Sequence, residues 1–455
     1  MKRLPDEEKI DAAPPDAIGL NFARRSNDPL GAQALGFLGV GGFFLAWWIS
    51  LRWAVQKPPA QLILFVLLTA APMAILSVLV NRVHLRPDSG LAPVARPFDP
   101  RRCAIKLLGL LLTLSTLALA YWLFPLYARD FYQPVWEAAR LVFWPALLLM
   151  AAYFFWIDRR MAQPKDGYWH MGLLLTHFLL LPLELIRNRA DSPGRNRRTV
   201  HDGQIDWQEI RGHVAGWIIK GFYLPLMLAG AVPLLEKLIS NGVDFKTFGG
   251  LYTTSLNLIF ALDVVFGAAG YLFTLRLLDT QIRSSESTGL GWASAICCYE
   301  PFASFMYSAF LSYKGPVRWN DWLQEQPMTY ISWGFAILLL HVIYVWATVS
   351  FGCRFSNLTN RGILVDGPYR FVRHPAYVAK NLAWWMMSVP FVAHAAWDDA
   401  LRACLCLALT NGIYVLRAKT EERHLSRDPA YVAYCRWIDR HGLLAQIRAL
   451  FRRRS

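Results

Sequence analysis

Two short polar clusters near the C-terminus hold residue types suited to binding a small charged ligand. The first, Asp366-Gly367-Pro368-Tyr369-Arg370, leads into Arg373-His374-Pro375-Ala376-Tyr377. Gly-Pro marks a turn, and Pro375 both lacks an amide donor and pushes His374 out of helical geometry. His374 therefore stands at a helix entrance, where unbonded amides favour an anionic group such as a carboxylate. Arg370 and Arg373 are placed to serve the same group. A stop signal for a membrane segment accounts for the arginines but not for the Gly-Pro-Tyr and His-Pro-x-Tyr geometry. The second cluster, Lys419-Thr420-Glu421-Glu422-Arg423-His424, ends the next apolar hairpin. Adjacent carboxylates project about 100° apart on a helix, so one can meet a ligand while its neighbour orients an Arg or Lys. Taken alone, a solvated charged face explains this cluster equally well.

The elements that carry these clusters are membrane helices. The chain has 455 residues, is 55% hydrophobic and contains 19 Trp. Continuous apolar runs of about 18 or more residues recur along it, which reads as helical spans rather than barrel strands. A net charge of +15 is then the Arg/Lys surplus of cytoplasmic loops. No basic run is interleaved with stacking aromatics, so nucleic acid is not an expected partner. The 7 cysteines show no CxxC pair, and neither a disulfide nor a metal site is expected. Residues Met1–Asn21 lack an apolar core, so no cleaved signal peptide is expected.

Ala34–Val55 and Ala60–Val80 form a first pair of spans around Gln56-Lys57-Pro58-Pro59. Ala104–Tyr127 with Ala138–Trp156, Val214–Ile239 with Gly250–Leu275, Leu290–Tyr313 with Thr329–Phe351, and Val378–Ala396 with Ala400–Leu416 follow. Arginines crowd the segments 81–102, 158–213 and 276–283, and parity then puts both clusters on the cytoplasmic side. Met171–Ile186, interrupted by Pro182 and Glu184, reads as an interfacial or re-entrant helix, since a further span would carry an Arg-rich loop outside. The expected fold is an all-α polytopic membrane protein. It has about ten transmembrane helices, both termini cytoplasmic, and the site facing the cytosol, with a bacterial inner membrane suggested by the Ala, Leu and Arg content. Four regions are expected: a polar tail (1–33), an N-terminal membrane region (34–328), a core (329–437) and a basic amphipathic tail (438–455).

Polar residues elsewhere are candidates for a second part of the site. Asp263 and Glu300 lie within apolar stretches, where an unpaired ionisable group is expensive and points to function or to a buried hydrogen bond. Arg354 and Asn357 precede the first cluster, and Asn381 begins the span after it.

The string Gly367–Tyr377, an apolar hairpin, and then Glu421, Glu422, Leu425, Tyr431 and Tyr434 resemble the C-terminal core of the isoprenylcysteine carboxyl methyltransferase and phospholipid N-methyltransferase superfamily. The resemblance covers residues 350–437 and is silent about 1–330. It implies S-adenosylmethionine as methyl donor and a lipidic or membrane-embedded acceptor, whose pocket the polar residues of that second part would form. It also implies that Gly367, Pro368, Tyr369, Arg370, His374, Pro375 and Tyr377 line the cofactor site. Glu421 and Glu422 would meet the cofactor's ammonium or ribose hydroxyls, and an arginine its carboxylate. His374, Arg373 and Glu421 are the expected catalytic set, with His374 orienting the cofactor. The chain departs from the family pattern at Asp428-Pro429 and at Trp437-Ile438-Asp439-Arg440-His441.

Two other readings share some of these features. Sterol reductases have a similar Tyr-Arg-x-x-Arg-His-Pro-x-Tyr arrangement and use a nicotinamide cofactor, but two adjacent carboxylates would repel its phosphates. A transporter or scaffold with a non-catalytic core would be marked by inverted repeats, and none is evident.

Overall fold

A computed structural model describes residues 29–190, 204–240, 242–313, 318–388 and 397–452, the side chains of 180–190 excepted. The helices that matter below are α1 (Ala32–Arg52), α2 (Pro58–Leu79), α3 (Pro100–Leu123), α4 (Gln133–Ile157), α5 (Gly167–Ala190), α6 (Trp207–Ser240) and α7 (Phe248–Leu272). After them come α8 (Gly289–Ile296), α9 (Phe302–Ala309), α10 (Trp319–Leu323), α11 (Pro327–Phe351), α12 (Pro375–Ser388), α13 (Trp397–Leu425), α14 (Pro429–His441) and α15 (Leu443–Arg452). The expected all-α membrane fold is what forms. Among the described residues, 8 helices are long and apolar enough to cross a bilayer: α1, α2, α3, α4, α6, α7, α11 and α13.

Local chemistry explains the boundaries. Pro58 opens α2 at its first turn, where a missing amide costs nothing. Asp99 and Thr247 cap α3 and α7 by accepting from the amides of Arg102 and Gly250. Without a hydrophobic drive between helices in lipid, close approach matters more than bulk. Gly42 shows it, since a Cβ there would lie 2.0 Å from the Leu68 carbonyl of α2. The core centres on α7, where Ala261, Val265, Phe266, Ala268 and Ala269 are fully enclosed. By contrast, Leu141, Trp144, Leu148 and Leu149 of α4 face outward, as lipid-facing residues do.

Two expected spans differ from the eight. Leu290–Tyr313 is not one helix but α8 and α9 with a break at Cys297–Pro301. Pro301 lacks an amide and disfavours helical geometry at Glu300. The broken segment still runs antiparallel along α13. Ser294 Oγ lies 3.2 Å from Thr420 Oγ1, and farther along, Cys406 Sγ donates to the Phe310 carbonyl. Irregular backbone at this depth is tolerable where it lines a cavity, and Cys298, Tyr299 and Glu300 do so. Val378–Ala396 is described only as far as Ser388, within α12. Met171–Ile186 lies in the continuous helix α5, which is not among the eight. The expected polar tail falls almost wholly outside the described residues.

The connecting loops are tied to one another on one face. Leu91 bridges Met161, Gln281 Nε2 donates to the Asp88 carbonyl at 2.8 Å, and Arg354 meets Asp279 at 2.9 Å. A two-residue antiparallel ladder, β1 (Ser284–Ser285) with β2 (Thr359–Asn360), joins the loop before α8 to the loop before the first cluster. Asn360 Nδ2 reaches Asp428 Oδ2 at 3.0 Å, just before α14. The loops that parity assigns to one side therefore do meet. Nearby, the fully enclosed Asp158 is held by Arg102 at 2.6 Å and Lys106 at 2.9 Å, the pairing a buried carboxylate requires.

Candidate active site

Both clusters open onto one cavity of about 420 Å³, within the ~300–1,000 Å³ range of small-molecule sites. Tyr369, Arg373, His374 and Tyr377 reach it from the first cluster, Arg417 and Glu421 from α13, and Tyr431 and Tyr434 from α14. Of the acceptor candidates, Asp263, Glu300, Arg354 and Asn357 line it as well.

The adjacent glutamates divide as helical geometry requires. Glu421 accepts from the Tyr377 hydroxyl at 2.8 Å and has no cation within ion-pair reach among the described residues. Glu422 is off the cavity wall and is surrounded by nitrogen groups: His374 Nε2 at 3.2 Å and the cations Lys419 at 3.3 Å and Arg373 at 3.8 Å. Arg373 is held again by Asp439 of α14. His374 is thereby fixed from behind, with its ring stacked on Tyr377 at 5.3 Å and an interplanar angle of 4°.

Arg417, one turn before Glu421 on α13, lines the same cavity. It is buried, donates to Asn357 Oδ1 at 2.6 Å, and lies over the rings of Tyr377 and Tyr299 at 5.2 and 5.3 Å. Asn357 in turn donates to the hydroxyls of Tyr271 and Tyr299. Arg361 gives its hydrogen bonds to the carbonyls of Thr280, Gly270 and Phe355, while its Nη2 is buried without an acceptor. Burial pulls the Arg361 guanidinium down to about 10, so it stays charged at neutral pH. Burial also holds the Tyr369 phenol well above its ordinary value, with Glu421 adding to the effect, so it stays neutral. Neither arginine has a carboxylate within ion-pair reach among the described residues.

The deep end of the cavity is different. Asp263 of α7 accepts from the hydroxyls of Tyr344 and Thr348 of α11. Lys380 of α12 sits over Tyr344, Trp384 and Tyr414 at 5.4, 5.2 and 5.7 Å.

Several expected site residues stand elsewhere. Gly367 and Pro368 are buried in the turn below the cavity, Gly367 with φ +64° against Ser350 and Gln33. Arg370 is exposed, Pro375 opens α12, and Asn381 is half-buried with its Oδ1 unpartnered; none of the three lines the cavity. Sequence reasoning missed Arg417 as a site residue, because an arginine ending an apolar run reads as a boundary charge.

Residues 331–427 match the model of the isoprenylcysteine carboxyl methyltransferase family. The matched stretch runs from α11 through α13 and holds both clusters. It supports a membrane methyltransferase. No curated protein and no solved structure matches the chain. The cavity is wider than the match, since Asp263, Tyr299 and Glu300 come from before it and Tyr431 and Tyr434 from after it.

Proposed function

We propose that the chain is an S-adenosylmethionine-dependent methyltransferase acting at the cytosolic face on a lipidic acceptor. One observation carries the reading. A single cavity, lined largely but not wholly by the family-matched region, presents a carboxylate without a cation, Glu421, and two buried arginines without a carboxylate, Arg361 and Arg417. That unspent pairing suits a zwitterion bearing an additional positive centre. The orphaned Arg361 Nη2 and the buried, unpartnered Tyr431 hydroxyl leave further hydrogen-bonding capacity on the same wall. These residues fit S-adenosylmethionine.

When bound, that cofactor supplies an activated methyl group. The chain's own work is to position and to exclude water. Arg417 and Arg361 hold the cofactor's carboxylate, and Glu421 its ammonium or ribose hydroxyls. His374, steadied by Glu422 and Tyr377, forms the wall that orients it, and Arg373 locks α14 over that wall through Asp439. A lipidic acceptor is met from the membrane side by Asp263, Tyr344 and Lys380. The basic loops gathered on the site face support a cytosolic orientation by the positive-inside rule.

The test is equilibrium binding of S-adenosylmethionine to the purified protein in detergent. The reading expects saturable binding that NADPH does not displace and that His374→Ala weakens. Binding of NADPH instead makes an intramembrane reductase the better account.

A further inference from the structure

A second cavity, of about 850 Å³, lies among α3, α4, α5, α6, α8 and the 274–287 loop, and none of its lining falls within the family-matched region. Its charges are unevenly spent. On the acidic side, Asp166 is 3.5 Å from Lys106, while Glu286 accepts from the Thr288 hydroxyl at 2.8 Å and faces Arg423 at 3.5 Å. Glu209 and Arg211 are exposed at the rim.

Two inner cations, Lys220 and Arg276, are not matched in this way. Lys220 of α6 rests 4.2 Å from the Trp217 ring centroid and has no acceptor among the described residues. The guanidinium of Arg276 packs against Gly90 and likewise has none. Arg283 meets Asp279 and Asp88 through its terminal nitrogens, yet its Nε is buried without an acceptor. A lysine on a spanning helix is costly unless it meets an anion, and one aromatic face offsets only part of that cost. Lys220 and Arg276, two cationic side chains without an acceptor among the described residues, therefore line one space.

We propose that this second cavity is an anion site that takes a phosphate group, with Lys220 and Arg276 as its donors. The phosphate belongs either to a lipid headgroup, whose chains would lie along Met150, Phe154 and Trp217, or to a free phosphate. The site is independent of the methyl-transfer reading.

Calorimetric titration of the full chain in detergent tests it, with short-chain phosphatidic acid, inorganic phosphate and short-chain diacylglycerol as probes. Phosphatidic acid is expected to bind saturably, Lys220→Gln to lower its affinity about tenfold, and Lys220→Arg to keep it within about threefold. Binding of phosphatidic acid alone assigns the site to a lipid. Saturable binding of inorganic phosphate that is lost in Lys220→Gln assigns it to the free anion. Should Lys220→Gln fail to fold, Arg276→Gln reads the same loss. The proposal is overturned if neither phosphate-bearing probe binds, if diacylglycerol binds as tightly as phosphatidic acid, or if both Gln variants bind like wild type.

Discussion

Arg417 donates to the side-chain oxygen of Asn357 at 2.6 Å, and this bond ties α13 to the loop leading into the first cluster. It fixes a buried guanidinium between the rings of Tyr299 and Tyr377. Asn357→Ala leaves Arg417 without its acceptor and frees the loop. S-adenosylmethionine affinity should fall about tenfold or more in equilibrium titration, since a hydrogen bond to a charged group is worth ~1.5–3 kcal/mol, or about 10- to 150-fold. Arg417→Lys should lose at least as much, because an ammonium does not reproduce the planar fork over two rings.

The two glutamates should separate cleanly by readout. Glu421→Gln, which removes the cavity's uncompensated carboxylate, should weaken cofactor binding about tenfold, or ~1.4 kcal/mol, with little change in melting temperature. Glu422→Gln leaves His374, Arg373 and Lys419 without their shared anion. It should lower the melting temperature and slow turnover more than it weakens binding. Thermal melting alongside titration checks the split, and identical profiles for the two variants would contradict it.

Asp263 touches the hydroxyls of Tyr344 and Thr348, whereas Glu421 accepts from Tyr377. Asp263→Asn should therefore leave cofactor affinity within about twofold while turnover falls at least about tenfold, the signature of an acceptor-side group. Comparing Kd with kcat/KM decides it.

Gly367 has φ +64°, and a Cβ there would stand 2.9 Å from Ser350 Oγ. Gly367→Ala should destabilise the protein by ~1–3 kcal/mol, because a side chain is disfavoured in the left-handed region. Gly412 of α13, with nothing within 4 Å, is the control. Gly412→Ala should leave the melting temperature unchanged or raise it, as alanine is the better helix former.

What the sequence makes legible is mostly what acts locally. The Lys57-Pro58-Pro59 turn and the long apolar runs report the spans because hydropathy operates segment by segment. The two clusters were legible as polar elements for the same reason, and the different surroundings of Glu421 and Glu422 follow from helical pitch. The break at Cys297–Pro301 was written in Glu300-Pro301, but the apolar average around it masked the signal. Long-range pairings are invisible in a single chain. Arg417 meets Asn357 only after the last hairpin folds back, and Lys220, set among Ile218, Ile219 and Phe222, gives no sign that a cavity waits beside it.

The central claim, methyl transfer at the cavity between the two clusters, is tested most directly by following labelled methyl from S-adenosylmethionine into lipid. The purified protein would be placed in nanodiscs made from total membrane lipid, with Glu421→Gln in parallel. The account predicts label in the organic-extractable fraction with wild type, reduced at least about tenfold by the substitution at subsaturating cofactor. Label absent from the organic fraction despite saturable cofactor binding, or equal labelling by Glu421→Gln, would contradict it.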